Sequence, residues 1–328
     1  MGADIGDILE PEPVEFEDVA GKVGIDAFNA IYGFLANIRQ RDGTPLQDSK
    51  GRVTSHLSGL LYKTANLYED GVKPFYVFDG KPPDLKSDTV EKRRERTSEA
   101  EESYKEAKKK GDEAEMLKYA QQATSIESAQ VESSIELLNA LNVPWMEAPG
   151  EGEAQASYMC VEGEIDYVAS QDYDALLFGA LHLVRNLTIS GRKGEELQPE
   201  LIRLNDVLER HDLTREELVE MGILVGTDYN DGVHGIGAKT GLKKMKKMSF
   251  REILEDYGHE SSVDLEKVKD LFMDPEVTDD YELEWQSPDH HAVVETLCDK
   301  YEFSEDRVED ALERIDASVS QSSLDRWG

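Results

Sequence analysis

Three short apolar runs in this chain each end close to an aspartate, and that repetition limits the folds open to it. Residues 21–25 stop at Asp26, residues 75–78 at Asp79, and residues 165–169 lead within three positions to Asp172. Their length and their β-branched and aromatic content read as buried strands. Helical stripes lie between the first two: Phe28, Ile31, Tyr32, Phe34, Leu35 and Ile38, then Leu57, Leu60, Leu61, Thr64 and Leu67. Strands alternating with helices imply a parallel sheet, whose strands all open their C-termini on one edge. The expected class is therefore α/β: a central, mostly parallel sheet flanked by helices, with acids gathered along one edge.

Residues 149–179 add a second repetition. Glu151/Glu153 and Asp172/Asp174 are carboxylate pairs of the same spacing, separated by a helical stretch and the third strand. Gly150 and Gly152 loosen the backbone where the first pair meets the helix start. Open α/β sheets place their ligand crevice beyond the strand C-termini, where Asp172 and Asp174 fall. Carboxylates brought together raise one another's pKa unless cations sit among them. All-oxygen ligands favour magnesium or manganese over zinc. Acidic pairs at loop ends are more often plain solvated surface; here position and doubled spacing favour a metal site.

At 328 residues and 39% hydrophobic, the chain can bury a sizeable core in one large domain or two. No run approaches membrane-spanning length, the first residues lack a signal-peptide pattern, and Gly6 stands where a myristoylation signal needs Ser or Thr. Cys160 and Cys298 give neither metal spacing nor a disulfide framework, which fits a reducing cytoplasm. Net charge is −34, from 70 Asp+Glu against 36 Lys+Arg. Taken alone this opposes a polyanionic partner. Yet residues 232–251 carry six Lys/Arg and no acid, residues 81–130 balance 11 basic against 12 acidic, and residues 252–328 hold 24 acidic and six basic. Acid spread over the surface but withheld from two segments suits a high-salt cytoplasm, where the screening length falls to about 3 Å at 1 M salt.

Lys81-Pro82-Pro83 breaks regular structure. Residues 84–122 are charged, helix-prone and poor in large apolar side chains, which alone reads as a solvated helical hairpin or a disordered insert. Residues 125–141 return to an amphipathic helix, residues 183–187 read as a strand, and a helix over 214–225 leads into Gly226-Thr227-Asp228. Gly235-Ile236-Gly237 then precedes a helix bearing Lys239, Lys243, Lys244, Lys246 and Lys247. Glycines before a helix expose N–H groups that grip phosphate. With lysines in an otherwise acidic chain they form a helix-hairpin-helix signal, which holds a strand's backbone and reads no bases. A dinucleotide fingerprint fails, because no long strand precedes the glycines and the third is missing. His234 reads as a loop residue.

The motifs IDAFNAIYGFL, VTSHLSGLLYKT, FYVFDGKPPDLK, APGEGEAQA, SQDYDALLFG, GTDYNDGVHGIGAK and the tail QSSLDRWG resemble the archaeal flap endonucleases, of the structure-specific 5′ nuclease family, over nearly the whole chain. The resemblance implies a PIN/5′-nuclease-like fold with an N-terminal nuclease region over 1–98 and a helical arch over about 82–130, continued in 99–124. It further implies an internal nuclease region with the helix-hairpin-helix over 125–258, an acidic helical region over 259–320 and a sliding-clamp-binding tail over 321–328. The implied activity is magnesium-dependent incision of DNA at 5′ flaps and nicked duplex junctions, with 5′–3′ exonuclease activity, in Okazaki-fragment maturation and DNA repair. Two Mg2+ ions, which Mn2+ can replace, would lie about 3.5–4 Å apart. Asp79 and Glu153, with Asp26 and Glu151 partly through water, would surround one; Asp172, Asp174 and Asp228 would surround the other.

Lys86 and Arg93 match arch residues at the scissile phosphate; their spacing puts them on one helix face, and with Asp172 they form the implied catalytic set. Tyr32 matches an aromatic that stacks on a base, while Arg39, Thr54 and Lys63 match positions holding the DNA on either side of the junction. Gly2, exposed after removal of Met1, matches the residue nearest the active site. Glu151, Gly226, Asp228, Gly235, Gly237, Lys239, Lys243 and Lys244 complete the implied DNA-binding set, with K+ at the helix-hairpin-helix. Gln321, Leu324 and Trp327 match the clamp-binding peptide, but Gly328 departs from it where a second aromatic is expected. The implied enzyme is monomeric, cytoplasmic and free of any membrane. Two rival readings remain. A haloacid-dehalogenase-type phosphatase also places Asp-x-Asp after a strand, but Leu176 stands where Thr or Val is common and residues 232–251 would be idle. A non-catalytic DNA-junction scaffold would leave the acids unused.

Overall fold

The acid-tipped runs fold as neighbours at the centre of one sheet. The computed structural model describes residues 2–81, 98–100, 102–104, 106–107, 110, 113–189 and 197–324. Among these, the strands are β1 (Glu12–Pro13), β2 (Gly21–Asp26), β3 (Val72–Phe78), β4 (Trp145–Glu147), β5 (Tyr167–Ala169), β6 (His182–Arg185) and β7 (Glu200–Arg203). Their spatial order is β1-β7-β6-β5-β2-β3-β4. The pairs from β4 through β3, β2 and β5 to β6 are parallel, and β7 and β1 close the far edge antiparallel. The expected α/β class with a mostly parallel sheet is what forms.

Alternation along β3 divides the core, as the two-residue period of a strand requires. Tyr76 and Phe78 enter one cluster, with the helices Ala27–Asn37, Ser55–Glu69, Ser128–Ala140 and Glu305–Leu324. Phe75 and Val77 enter the other, with Gly152–Val161, Arg215–Val225 and Leu265–Met273. With both faces covered, the central strands are continuous apolar runs. β3 begins at Val72, three residues before the expected start, and takes Pro74 inside it opposite Val23. The expected strand over 183–187 is His182–Arg185, and the expected helix over 214–225 starts at Arg215 because Thr214 is its N-cap, in a capping box with Glu217.

Parallel pairing puts Asp26, at the end of β2, beside β3, which ends one residue before Asp79, and β5, which ends three before Asp172. Among the described residues no helix is long and apolar enough to cross a membrane.

Candidate active site

Backbone N–H groups hold three of the acids, Asp26, Asp79 and Asp174. Asp26 ends β2 and caps the next helix, its Oδ1 accepting from Asn29 N at 2.9 Å. Asp79 Oδ1 accepts from Gly152 N at 2.7 Å, so the acid after β3 holds the start of the helix that bears Glu153. A side chain at Gly152 would press on Asp79 Oδ1 at 3.0 Å and Val77 O at 3.1 Å, which is why this helix begins with glycine. Glu151 is the N-cap residue of that helix and Glu153 lies in its first turn. Asp174 opens the helix Asp174–Leu177, is 5% exposed, and accepts from Ala3 N at 2.7 Å. Asp228 is 8% exposed, in the turn after the helix Arg215–Val225. Helix N-termini carry partial positive charge, so acids at three helix starts are partly offset before any counter-ion arrives.

The electrostatics join acids that lie far apart in sequence. Burial, then the charges of Asp26, Asp172 and Asp174, push the Glu153 carboxyl well above the usual range, against a hydrogen bond from Ser170. Glu153 Oε1 is shut off from solvent and has no hydrogen-bond partner. Burial pushes Asp174 up to about 7, with Asp228 and Asp172 adding to the shift and the Ala3 N–H opposing it. Tyr229, 4% exposed, lies in the field of Glu151, Asp174 and Asp228, and burial with those acids around it pushes its phenol far up. Asp26, Glu151, Glu153, Asp172, Asp174 and Asp228 thus share one field, and Asp79 is tied to it through Gly152. Among the described residues no three such groups form a preassembled metal cluster.

The other expected site residues are more dispersed. Gly2 meets Asp174 so closely that a Cβ there would overlap its carboxylate. Tyr32 is 42% exposed, its hydroxyl 3.4 Å from Gln121 O. Arg39 is half-buried, donating to Gly43 O at 2.8 Å and Thr124 Oγ1 at 2.6 Å. Thr54 and Lys63 are buried, and the Lys63 ammonium lies 4.5 Å from the Phe16 ring centroid. Gly226, at φ 111, ends the helix Arg215–Val225, and Gly237 is the N-cap residue of the helix Ala238–Met245. Gly235 is exposed at φ 84. Lys239 is exposed and pairs with Asp7 at 3.4 Å, Lys243 is exposed, and Lys244 pairs with Asp256 at 2.8 Å. Gln321 and Leu324 fall in the last turn of the helix Glu305–Leu324, whereas Lys86, Arg93 and Trp327 lie outside the described residues. Sequence reading passed over Ser170 and Tyr229. Tyr229 stands next to Asp228, but a single phenol leaves no spacing signal.

Known proteins agree with this architecture. The XPG N-terminal domain family matches residues 5–100 and the XPG I-region matches residues 142–228. The sheet and its acid-tipped edge are thus those of an XPG-type 5′ nuclease. Flap endonuclease 1 of Thermococcus onnurineus (strain NA1) is 51% identical over 339 residues, covering 100% of this chain and 99% of that protein. Its counterpart from Pyrococcus furiosus is 50% identical, with 100% and 99% covered. The structure of flap endonuclease-1 from Methanococcus jannaschii superposes with a TM-score of 0.79 at 40% identity, over 98% of this chain and 100% of that one. The Holliday junction-resolving enzyme GEN1, in complex with product DNA and a Mg2+ ion, shares the fold, with a TM-score of 0.64 at 17% identity over 95% and 76% of the two chains. The chain belongs to the flap endonuclease 1 family, and its activity is hydrolysis of DNA phosphodiester bonds.

Proposed function

We propose that the acid edge incises 5′ flaps with two magnesium ions, one held by Asp79 and Glu153 with Asp26 and Glu151 behind them, the other by Asp172, Asp174 and Asp228. The observation that carries this reading is the buried, unpartnered Glu153 Oε1 in the field of Asp26, Asp172 and Asp174. A carboxylate oxygen so placed is costly unless a cation meets it. The donors are oxygen only, the ligand chemistry that magnesium takes. GEN1 of the same fold holds product DNA and Mg2+, which supports the choice. When bound, magnesium supplies a water of lowered pKa and charge stabilisation at the departing 3′-oxygen.

The chain's own groups do the rest of the work. Asp26 and Asp79 hold the starts of the helices behind the edge, so the acids need not reorganise on binding. Lys86 and Arg93 would stabilise charge on the scissile phosphate. The glycines 235 and 237 and the exposed Lys239 and Lys243 would grip duplex backbone, with K+ at the hairpin. Tyr32, Arg39, Thr54 and Lys63, with Gly2, Glu151, Gly226, Asp228 and Lys244, complete the proposed DNA set, Lys63 only where its ammonium leaves Phe16. Manganese would substitute for magnesium, and exonuclease action would accompany incision. A monomer from a salt-rich cytoplasm fits the composition.

Asp172→Ala should abolish magnesium-dependent cleavage of a labelled flap oligonucleotide while leaving flap binding in EDTA within about threefold of wild type. Normal turnover by that variant would remove the two-ion assignment. A scaffold would show no cleavage even in the wild type. The tail over 321–328 is proposed to dock on a sliding clamp through Gln321, Leu324 and Trp327, more weakly than a peptide with the missing aromatic, since few anchors carry small interfaces. Gly328→Phe should therefore tighten binding in titration calorimetry with the cognate clamp; no heat from either chain would end that reading.

A further inference from the structure

The turn that presents Asp172 is gripped by one side chain, Arg185. This residue ends β6, the strand beside β5, and is half-buried. Its Nε donates to Gln171 O at 3.2 Å, and its Nη1 donates to the Tyr173 hydroxyl at 2.7 Å. The guanidinium also stands over the Tyr173 ring, 4.5 Å from the centroid. The residues on both sides of Asp172 are therefore held by a single group. Gln171 O and Asp172 N belong to one peptide unit, and that N–H donates to Ser170 Oγ at 3.2 Å. The peptide is thus tied at both ends. Glu200, directly across the antiparallel pair on β7, accepts from Arg185 Nη1 at 3.2 Å and anchors the guanidinium. Tyr173 in turn abuts the amino-terminal segment, where a Cβ on Gly6 would stand 2.9 Å from its hydroxyl. A cross-strand ion pair alone would not need this arrangement. Lysine would pair with Glu200 as well, but it has neither the Nε donor nor the flat face that stacks on a ring.

We infer that Arg185 is a positioning residue for phosphodiester hydrolysis: its planar guanidinium holds the Gln171–Tyr173 backbone so that the Asp172 carboxylate is presented at the sheet edge. This rests on the metal assignment proposed above. Partners of this outer kind orient a ligand, and losing one lowers metal affinity or activity about 10–100-fold. Charge and geometry pull in opposite directions here. A nearby cation repels a divalent metal, so an arginine acting through charge alone would weaken metal binding and its removal would tighten it. An arginine acting through geometry does the reverse.

The test is Arg185→Lys in the full-length chain, which keeps the charge and removes the fork. Mn2+ binding to the protein without DNA, followed by electron paramagnetic resonance, should need about tenfold more metal for half-saturation. Single-turnover flap cleavage should fall at limiting Mg2+ and recover largely at high Mg2+, while flap affinity in EDTA keeps its wild-type value. Arg185→Ala should weaken Mn2+ binding too, although it removes a cation. Tyr173→Phe keeps the ring and takes away one acceptor, so it should shift Mn2+ binding the same way by roughly threefold, the size of one ordinary hydrogen bond. It decides the matter if the arginine variants do not fold. A merely structural role would lower the melting temperature in EDTA and leave the Mn2+ affinity of the folded protein unchanged. That result, or tighter Mn2+ binding by Arg185→Ala, would overturn the inference. Asp172→Ala separates the two failures: unchanged Mn2+ binding there discards the metal assignment itself, whereas lost binding there with normal binding in Arg185→Lys discards only the arginine.

Discussion

His56 shows how much one side chain can decide. It is 1% exposed, with Nε2 2.8 Å from Ser133 Oγ. The one Ser133 hydroxyl proton has backbone carbonyls within reach, Ala129 O at 2.8 Å and Gln130 O at 3.2 Å, which leaves its oxygen to accept from Nε2–H of the neutral ring. Nδ1 is then a bare lone pair, buried and without a partner, and burial pushes the ring down to about 4. A base whose folded pKa lies below its unfolded value stabilises the fold above the unfolded pKa, and that contribution is lost as pH falls towards the folded one. Wild type should therefore lose about 3 kcal/mol between pH 6.5 and 4 that His56→Gln does not lose, read by urea unfolding at several pH values. Equal pH dependence in the two would show that the ring is not held neutral. None of this was legible in the chain, because the helix pattern marks His56 only as a polar residue near Leu57. Lys63 misleads in the same way. The resemblance sets it at a position that holds DNA, yet it is buried over Phe16, and desolvation pulls it down to about 8. The acids were legible, since they follow apolar runs whose buried ends must open somewhere.

Elements differ in how clearly they announce themselves, and the apolar run around each is the physical reason. β2 and β3 are long apolar runs, and the short β5 and β6 fall on the apolar runs 165–169 and 183–187. By contrast β1 has two residues, β4 three and β7 four, each with a charged residue among them, too few to show a period. Contacts between a side chain and a distant backbone leave no pattern at all. The irregular stretch after the helix Leu265–Met273 is an example. Gln155 on the helix Gly152–Val161 is fully buried and pairs both ways with Thr278, donating to its O at 2.9 Å and accepting from its N at 2.9 Å. Tyr158, one turn along, donates to Asp279 at 2.7 Å, and Trp285 Nε1 donates to Pro74 O at 2.8 Å. A strap from the carboxy-terminal part thus lies over the helix bearing Glu153 and reaches β3. Gln155→Ala would leave a peptide N–H and C=O of Thr278 without their partners, at about 1–3 kcal/mol for a buried group. Urea unfolding should show a loss of about 2 kcal/mol, and hydrogen exchange should quicken over 276–285 first. A loss below about 0.5 kcal/mol would mean that water replaces the amide freely.

At the scale of the whole molecule, two salt dependences oppose each other. A formal charge of −34 over 328 residues repels itself, and the compact state suffers most. Added salt screens that repulsion, with the screening length falling from about 10 Å at 0.1 M to about 3 Å at 1 M. Phosphate contacts respond the other way, since each one lost lowers the salt slope of binding by about 0.9. The chain keeps the two apart along its sequence. Residues 232–251 carry no acid, and within them Lys243 and Lys247 are exposed while Lys244 is engaged with Asp256 and lies over Tyr257. Flap cleavage measured across potassium chloride concentrations should therefore rise, pass a maximum and fall. The rising limb should follow the melting temperature, because it reports folding. The falling limb should follow flap affinity, because it reports counter-ion release. Replacing Lys243 and Lys247 together by Ala should draw the falling limb to lower salt, with a slope smaller by up to about 1.8 for two phosphate contacts, and leave the rising limb where it was. Lys244→Ala should instead act mainly through Asp256 and Tyr257, on the melting temperature. If the double variant shifts both limbs equally, the lysines serve the fold and the DNA follows another surface.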